Sequence, residues 1–302
     1  MDDARGKWRH YPGYLLFRGV CGAFRLLPER CAYRLAEGLS ALVCLADRRH
    51  RKIARANLEI AFGDTKTRRE KRAIVRGAYR NLALTAVEFI LTPKLRRRRE
   101  PFSRIVGLPI LSEAFRGGKG VILLISHFGN WETMATCTPE IEGLIAAIGR
   151  PLPNPLIYRE VERLRAMNNL KPMRKKWAVR EIMNLLRDNR GVAILADQYA
   201  GRYAPFVPFF GRPVSTHPAP ALLALKTGAA VIPAFDVRVR RGRHEVHVCP
   251  PIEIPATGDR AADVAEGCAR INRVIEEWVR RRPDHWLWMA RRWRRKKKPG
   301  ER

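Results

Sequence analysis

Five consecutive apolar residues, Val121 to Ile125, run without a polar interruption into Ser126 and His127. A run this short and this uniformly apolar fits a strand buried on both faces, which needs helices above and below it. The chain after residue 104 supplies both kinds of element. Short apolar runs at 121–126, 144–148, 192–196, 230–234, 236–240 and 245–249 read as strands. They alternate with helical stretches at 130–137, 155–167, 179–188, 218–227 and 261–281. The alternation predicts an α/β fold: a mostly parallel twisted sheet flanked by helices.

The first hundred residues have a different texture. Segments 14–27 and 31–45 read as two helices separated by Pro28, with arginines set among Leu, Phe, Val and Tyr. Such a pair can lie in a membrane interface with its arginines snorkelling to phosphates, or pack on the protein's own core. Arg18 and Arg25 interrupt the apolar run, so neither a cleaved secretory signal nor a span of about 18 apolar residues is expected. Helical spacing continues from 47 to 91 with a break at Gly63 and Asp64, and the charge run Arg96 to Arg99 marks 93–104 as a linker. The expected organisation is membrane-associating helices at 1–46, a helical preface at 47–103, and an α/β core at 104–302 ending in a basic tail.

His127 and Glu132 are the first candidates for chemistry. On one continuous helix five residues turn a side chain by about 500°, which would keep the two apart. They can meet if His127 lies in the loop leaving the strand and Glu132 in the first turn of the next helix. Gly129 tolerates the turn between them and Asn130 is a good helix N-cap. A carboxylate on one imidazole nitrogen fixes the tautomer and raises the basicity of the other, giving a general base for a hydroxyl.

Charge adds a partner to this picture. The 302 residues carry 59 Lys and Arg against 29 Asp and Glu, a formal net charge of +30, which calls for a polyanion: nucleic acid or an anionic membrane surface. The six cysteines are scattered without C-x-x-C spacing and read as reduced, buried thiols. His244 and His247 lean to opposite sides of a strand with no further ligand at metal spacing, so no metal is expected.

The segment HFGNWE (127–132) resembles the H-x4-D/E signature of the lysophospholipid acyltransferase superfamily. Its wording is similar to the late lipid A (lauroyl/myristoyl) acyltransferase branch and the related phosphatidylinositol mannoside acyltransferases. Further matching blocks follow in order: RRHRKIARANLEIAFGD (48–64), NPLI (154–157), ERLRAMN (162–168), ADQ (196–198), FVPFFGRP (206–213), LALKTGAAVIP (223–233) and PDHWLWMARRW (283–293).

The resemblance implies an O-acyltransferase without a cofactor, moving an acyl chain from an acyl carrier protein or coenzyme A thioester to a glycolipid hydroxyl at the cytoplasmic face of the inner membrane. The acceptor it implies is a lipid A precursor. It assigns His127 as base, Glu132 as its partner, and Arg163 or Arg165 to the thioester oxyanion. Asp197 would order an arginine or the acceptor headgroup, with a turn-capping role as the alternative. Asn130, Trp131, Phe206, Phe209, Phe210 and Arg212 would meet substrate, although an aromatic block can equally be core. Trp286, Trp288 and Trp293, interleaved with arginines, can stack bases or sit among lipid headgroups, and the resemblance favours the headgroups. The competing readings are a basic nucleic-acid-binding protein and a catalytically silent acyl-binding relative.

Overall fold

The computed structural model describes residues 9–98, 102–134, 145–148, 152–167, 170–173 and 178–294. Helices come first: α1 (Tyr11–Leu26), α2 (Glu29–Ala46), α3 (Arg48–Phe62), α4 (Arg68–Ile90) and the short α5 (Thr92–Leu95). After them run β1 (Ser103–Val106), α6 (Leu108–Arg116), β2 (Val121–Ile125), β3 (Ile145–Ile148), α7 (Pro155–Met167), β4 (Leu170–Met173), α8 (Ala178–Arg187) and β5 (Gly191–Leu195). The hairpin strands β6 (Phe206–Phe209) and β7 (Arg212–Ser215), then α9 (Ala219–Thr227), β8 (Ala230–Arg240), β9 (Arg243–Val248) and α10 (Arg260–Arg281), complete the order.

Strand β2 is apolar throughout because both its faces are covered. Val121, Leu123 and Ile125 enter one buried cluster with Leu111 and Phe115 of α6. Ile122 and Leu124 enter another, with residues of α3, α4, α8 and α10. The sheet order is β1-β9-β8-β2-β5-β3-β4, in which β8 and β9 are antiparallel and the other pairs parallel. This is the mixed α/β architecture expected, with the apolar strand at the sheet's centre.

Two expected strands, 230–234 and 236–240, are one: β8 continues through Asp236, pairing with β2 by its first half and with β9 by its second. Within the expected linker, Ser103 opens β1, which pairs in parallel with β9. The β6–β7 hairpin turns on Phe210 and Gly211, both at positive φ, the two-residue geometry that suits the twist of an antiparallel pair.

Local signals explain the helix starts. Thr67 and Glu70 form a capping box on α4, the Asp47 side chain accepts the His50 N–H at the start of α3, and Asp259 accepts two N–H groups at the start of α10. Helices α1 and α2 form the expected pair. Phe24, Ala32, Tyr33 and Ala36 pack on Leu84 and Val87 of α4 and on Leu91 just after it. Leu15, Leu16, Leu26, Leu42 and Leu45 stay more than 60% exposed. Among the described residues no helix is long and apolar enough to cross a membrane. Of the cysteines, Cys21, Cys44 and Cys268 are buried, but Cys31 is exposed and Cys249 half-buried; Cys137 lies outside the described residues.

Candidate active site

Strand register builds the site. Ile125, the last residue of β2, lies opposite Leu195, the last residue of β5, and two residues further along each chain stand His127 and Asp197. The pair therefore sits at the C-terminal edge of the parallel strands, where α/β sheets commonly form sites. Asp197 accepts the His127 backbone N–H on Oδ2 at 2.9 Å and faces Nδ1 with Oδ1 at 2.8 Å. Its Oδ2 also accepts the Trp286 indole N–H at 2.9 Å. With Nδ1 committed to a carboxylate, the lone pair of the neutral imidazole lies on Nε2.

Burial alone would lower the imidazole pKa, but the charge and hydrogen bond of Asp197, joined by the charge of Glu132, hold it above its ordinary value. Burial likewise pushes Asp197 upward, and the His127 contacts overcome that and hold it below the usual carboxylate range. The imidazole keeps 19% of its surface open. Beside it are the Gln198 side-chain amide, 3.2 Å from Nε2, and the Trp131 ring, centred 5.1 Å away. Behind Asp197 lies buried Arg292, which donates to the backbone carbonyls of Gln198 and Ser215 at 2.9 and 2.6 Å and so pins the turn after β5. Burial lowers this guanidinium to about 10 against the opposing charge of Asp197.

The turn after His127 is tied down group by group. Gly129 has φ +58°, and a Cβ there would come within 1.9 Å of the Asp236 carbonyl oxygen, so the position demands glycine. Its N–H donates to the His285 carbonyl at 3.0 Å, and its carbonyl accepts from Asn81 Nδ2 and Thr85 Oγ1, each at 3.0 Å. The Asn130 N–H donates to Asp236 Oδ1 and its side-chain Nδ2 to Glu88 Oε2, both at 2.7 Å.

Several sequence expectations change here. Asn130 does accept the Thr133 N–H as a cap would, but residues 131–133 make turns and Met134 is 3₁₀ rather than part of the α-helix expected at 130–137, whose last three residues lie outside the described part. Asn130 is fully buried and faces Glu88 and Asp236, so it supports the turn instead of meeting substrate. The carboxylate on His127 Nδ1 is Asp197, where the sequence pointed to Glu132, because the strand register brings residue 197 alongside residue 127. Glu132 is instead gripped by Arg165 through Nε and Nη2, at 2.9 and 2.6 Å. Of the two candidate arginines on α7, the structure brings Arg165 to the site; Arg163 is exposed and pairs with Glu160 on its own helix.

The aromatic block also divides. Phe209 and Phe210 are buried and pack with Trp286, Trp288 and Trp293, making core and not an open channel. Trp286 and Trp288 are themselves sealed inside, away from any headgroup layer. Phe206 is half-buried on β6, and Arg212 is exposed on β7. Among the described residues no group of His, Cys, Asp and Glu is arranged to hold a metal ion.

Sequence reasoning missed the parts that Glu88, Asp236, His244, Trp286 and Arg292 take in the site. Two left a trace: Glu88 interrupts the apolar stripe of Leu84, Val87 and Leu91, and Asp236 interrupts the buried run from Val231 to Val237. A carboxylate on an otherwise apolar face marks a buried, paired charge.

Comparison with known proteins follows the same lines. The family described as "Bacterial lipid A biosynthesis acyltransferase" matches residues 5–295. The lipid A biosynthesis palmitoleoyltransferase of Escherichia coli (strain K12) is 28% identical over 286 residues, 91% of this chain and 89% of that protein. The lipid A biosynthesis lauroyltransferase of the same organism is 25% identical over 284 residues, again 91% and 89%. A phosphatidylinositol mannoside acyltransferase of Mycobacterium tuberculosis (strain CDC 1551 / Oshkosh) is 27% identical over 143 residues, 46% of this chain and 45% of that protein.

Proposed function

Because the chain belongs to the bacterial lipid A biosynthesis acyltransferase family and is an acyltransferase, we propose that it transfers a fatty acyl group from a thioester to a hydroxyl of a lipid A precursor, with His127 as general base. The observation that carries this reading is the His127–Asp197 couple, whose carboxylate holds Nδ1 and leaves Nε2 for an incoming hydroxyl. Nε2 takes the hydroxyl proton as the oxygen attacks the thioester carbonyl carbon. The resulting tetrahedral intermediate collapses with formation of the ester and loss of the C–S bond, and the leaving thiolate takes the proton back from the imidazolium.

Arg165 spends Nε and Nη2 on Glu132, and its Nη1 is the group we assign to the developing oxyanion. Glu132 thereby orients the arginine and adds its charge to the field that raises His127. The donor is an acyl carrier protein or coenzyme A thioester, and an acidic carrier suits a chain of net charge +30. Family membership favours this reading over nucleic-acid binding.

The working location is the cytoplasmic face of the inner membrane. Support comes from the outward leucines of α1 and α2, which are flanked by exposed Arg18, Arg30, Arg34, Arg48 and Arg49, a combination that fits an anionic lipid surface. Incubating the purified protein with lauroyl thioesters of each donor and a lipid A precursor, followed by mass spectrometry of the lipid, tests the reaction. An acyl mass increment that disappears with His127→Ala supports it, and an unmodified lipid under all conditions overturns it. Co-sedimentation with phosphatidylglycerol vesicles tests the location; retention unaffected by Leu16→Asp with Leu42→Asp would remove the role given to the two helices.

A further inference from the structure

Beneath the catalytic turn lies a second histidine couple that the proposed reaction does not use. His244 on β9 faces Asp236 Oδ1 through Nδ1 at 2.7 Å, and its Nε2 lies 3.3 Å from Glu88. Arg238 on β8 pairs with Glu88 and brings Nη1 within 3.1 Å of the same imidazole nitrogen. None of the four side chains is more than 8% exposed. Two carboxylates, one guanidinium and one imidazolium balance in charge. The two carboxylates push the imidazole up to about 9 despite burial, and Arg238 and His244 bring Glu88 down to about 2 against its own burial.

We propose that Glu88, Asp236, His244 and Arg238 form a positioning device that fixes His127 against Asp197 by holding the Gly129–Asn130 turn. The two carboxylates do more than neutralise each other's partners. Asp236 Oδ1 is shared between His244 and the Asn130 backbone N–H, and Glu88 Oε2 takes the Asn130 side-chain amide. Arg238 reaches further, to Asn81 Oδ1 at 3.3 Å and Thr85 Oγ1 at 3.4 Å, the two residues that donate to the Gly129 carbonyl.

The cluster therefore sets both the donors and the acceptors on which the turn rests. Hydrogen bonds to ionised groups are short and strong, and in a sealed site they resist rearrangement. A turn held only by neutral groups could relax. Here a shift of Asn130 would leave a buried carboxylate short of a donor, so the residue three positions after His127 is locked to the sheet through β8 and β9 and to the helical layer through α4. That rigidity keeps the imidazole in register with Asp197, which follows the neighbouring strand β5.

This inference rests on His127 being the base, and its test is read at His127 itself, independently of turnover. Full-length protein in detergent, carrying 13C-labelled histidine and assigned with His127→Gln, is titrated by NMR. Wild-type His127 is expected to titrate above its ordinary value of 6.5. Asn130→Asp is the discriminating variant, because an added negative charge acting through space alone would raise the titration point. If the turn is released, the Asp197 contact loosens and the point falls. Glu88→Gln is expected to lower it as well.

The double variant E88Q/N130D exchanges the amide and the carboxylate between the two positions, so a hydrogen bond can form again with the same charge count, and it should bring the titration point back. In parallel, kcat of the single variants for acyl transfer should fall ~10²-fold with KM unchanged. Thr85→Val withdraws one donor from Gly129 and leaves the ions intact, so it gives a smaller shift in the same direction should the charge variants not fold. A His127 titration that is unmoved or raised in N130D and T85V, with only the melting temperature lowered, would overturn the proposal. Normal titration behaviour in a protein that never acylates lipid would instead count against the acyl-transfer reading alone.

Discussion

His127 and His244 each face a carboxylate with Nδ1, at 2.8 Å from Asp197 and 2.7 Å from Asp236. Their other ring nitrogens differ. Nε2 of His127 borders an amide and 19% open surface, whereas Nε2 of His244 lies between a buried carboxylate and a buried guanidinium. In the proposed reaction the same two-residue unit is an exchangeable base in one place, and in the other it is a buried ion. What separates the roles is the second neighbour and access to the outside, not the couple itself.

The largest effect that sharpens this contrast is expected from His127→Ala. It should cost ~10³- to 10⁴-fold in acyl transfer, with a smaller fall in the urea midpoint than a change at His244, since Asp197 keeps the backbone N–H of residue 127, the Trp286 indole N–H and the charge of Arg292 when the imidazole is removed. A comparable loss from a variant far from His127 with His127→Ala still active would break the comparison. Asp197→Asn should follow, with a loss of roughly 10²-fold or more.

The pH profile adds a sign to that prediction. In the proposed mechanism the neutral imidazole is the active form, so the wild-type rate should rise with pH through a value above 6.5. Without the carboxylate, burial prevails and that limb moves to lower pH, as a pH–kcat series would show.

His244→Gln is expected to reverse the emphasis, lowering stability by about 3–5 kcal/mol in urea unfolding because Asp236 and Glu88 lose a buried counter-charge. In the wild type, the contribution of His244 to stability is complete below its ordinary value of 6.5 and is lost as pH rises through about 9, since the folded state binds its proton more tightly. The variant should lack that alkaline decline. The smallest effect is assigned to Arg165→Lys, a drop of roughly tenfold in kcat, since a lysine keeps the charge but cannot grip Glu132 with two parallel hydrogen bonds. An unchanged rate would detach Arg165 from the reaction.

How much of this is legible in the sequence follows from the range of each interaction. The central strand, the pair α1 and α2, and the break at Gly63 are readable because apolar runs, Pro28 and glycine act locally. His127 is readable because it follows a buried strand. The His127–Asp197 contact is not, since it depends on which strand lies beside β2 and in which register, between residues 70 positions apart. Reading Glu132 as the partner required a helix from residue 130, and burying Asn130 against two carboxylates leaves turns there. Trp286 and Trp288 read as headgroup residues because aromatic and basic residues alternate around them. In the fold the rings turn inward onto Phe209 and Phe210, and Arg292 follows them in.

The pairing of Ile125 with Leu195 has a consequence for how such a site can change. Because each member of the couple is the same number of steps past its own strand, inserting one residue after Ile125 alone would offset the two groups by a step and turn one of them away, even if the sheet survived. Equal insertions on both segments would keep them facing each other. The His127–Asp197 pair is thus a property of the ladder between two segments, and neither segment can drift in length without the other.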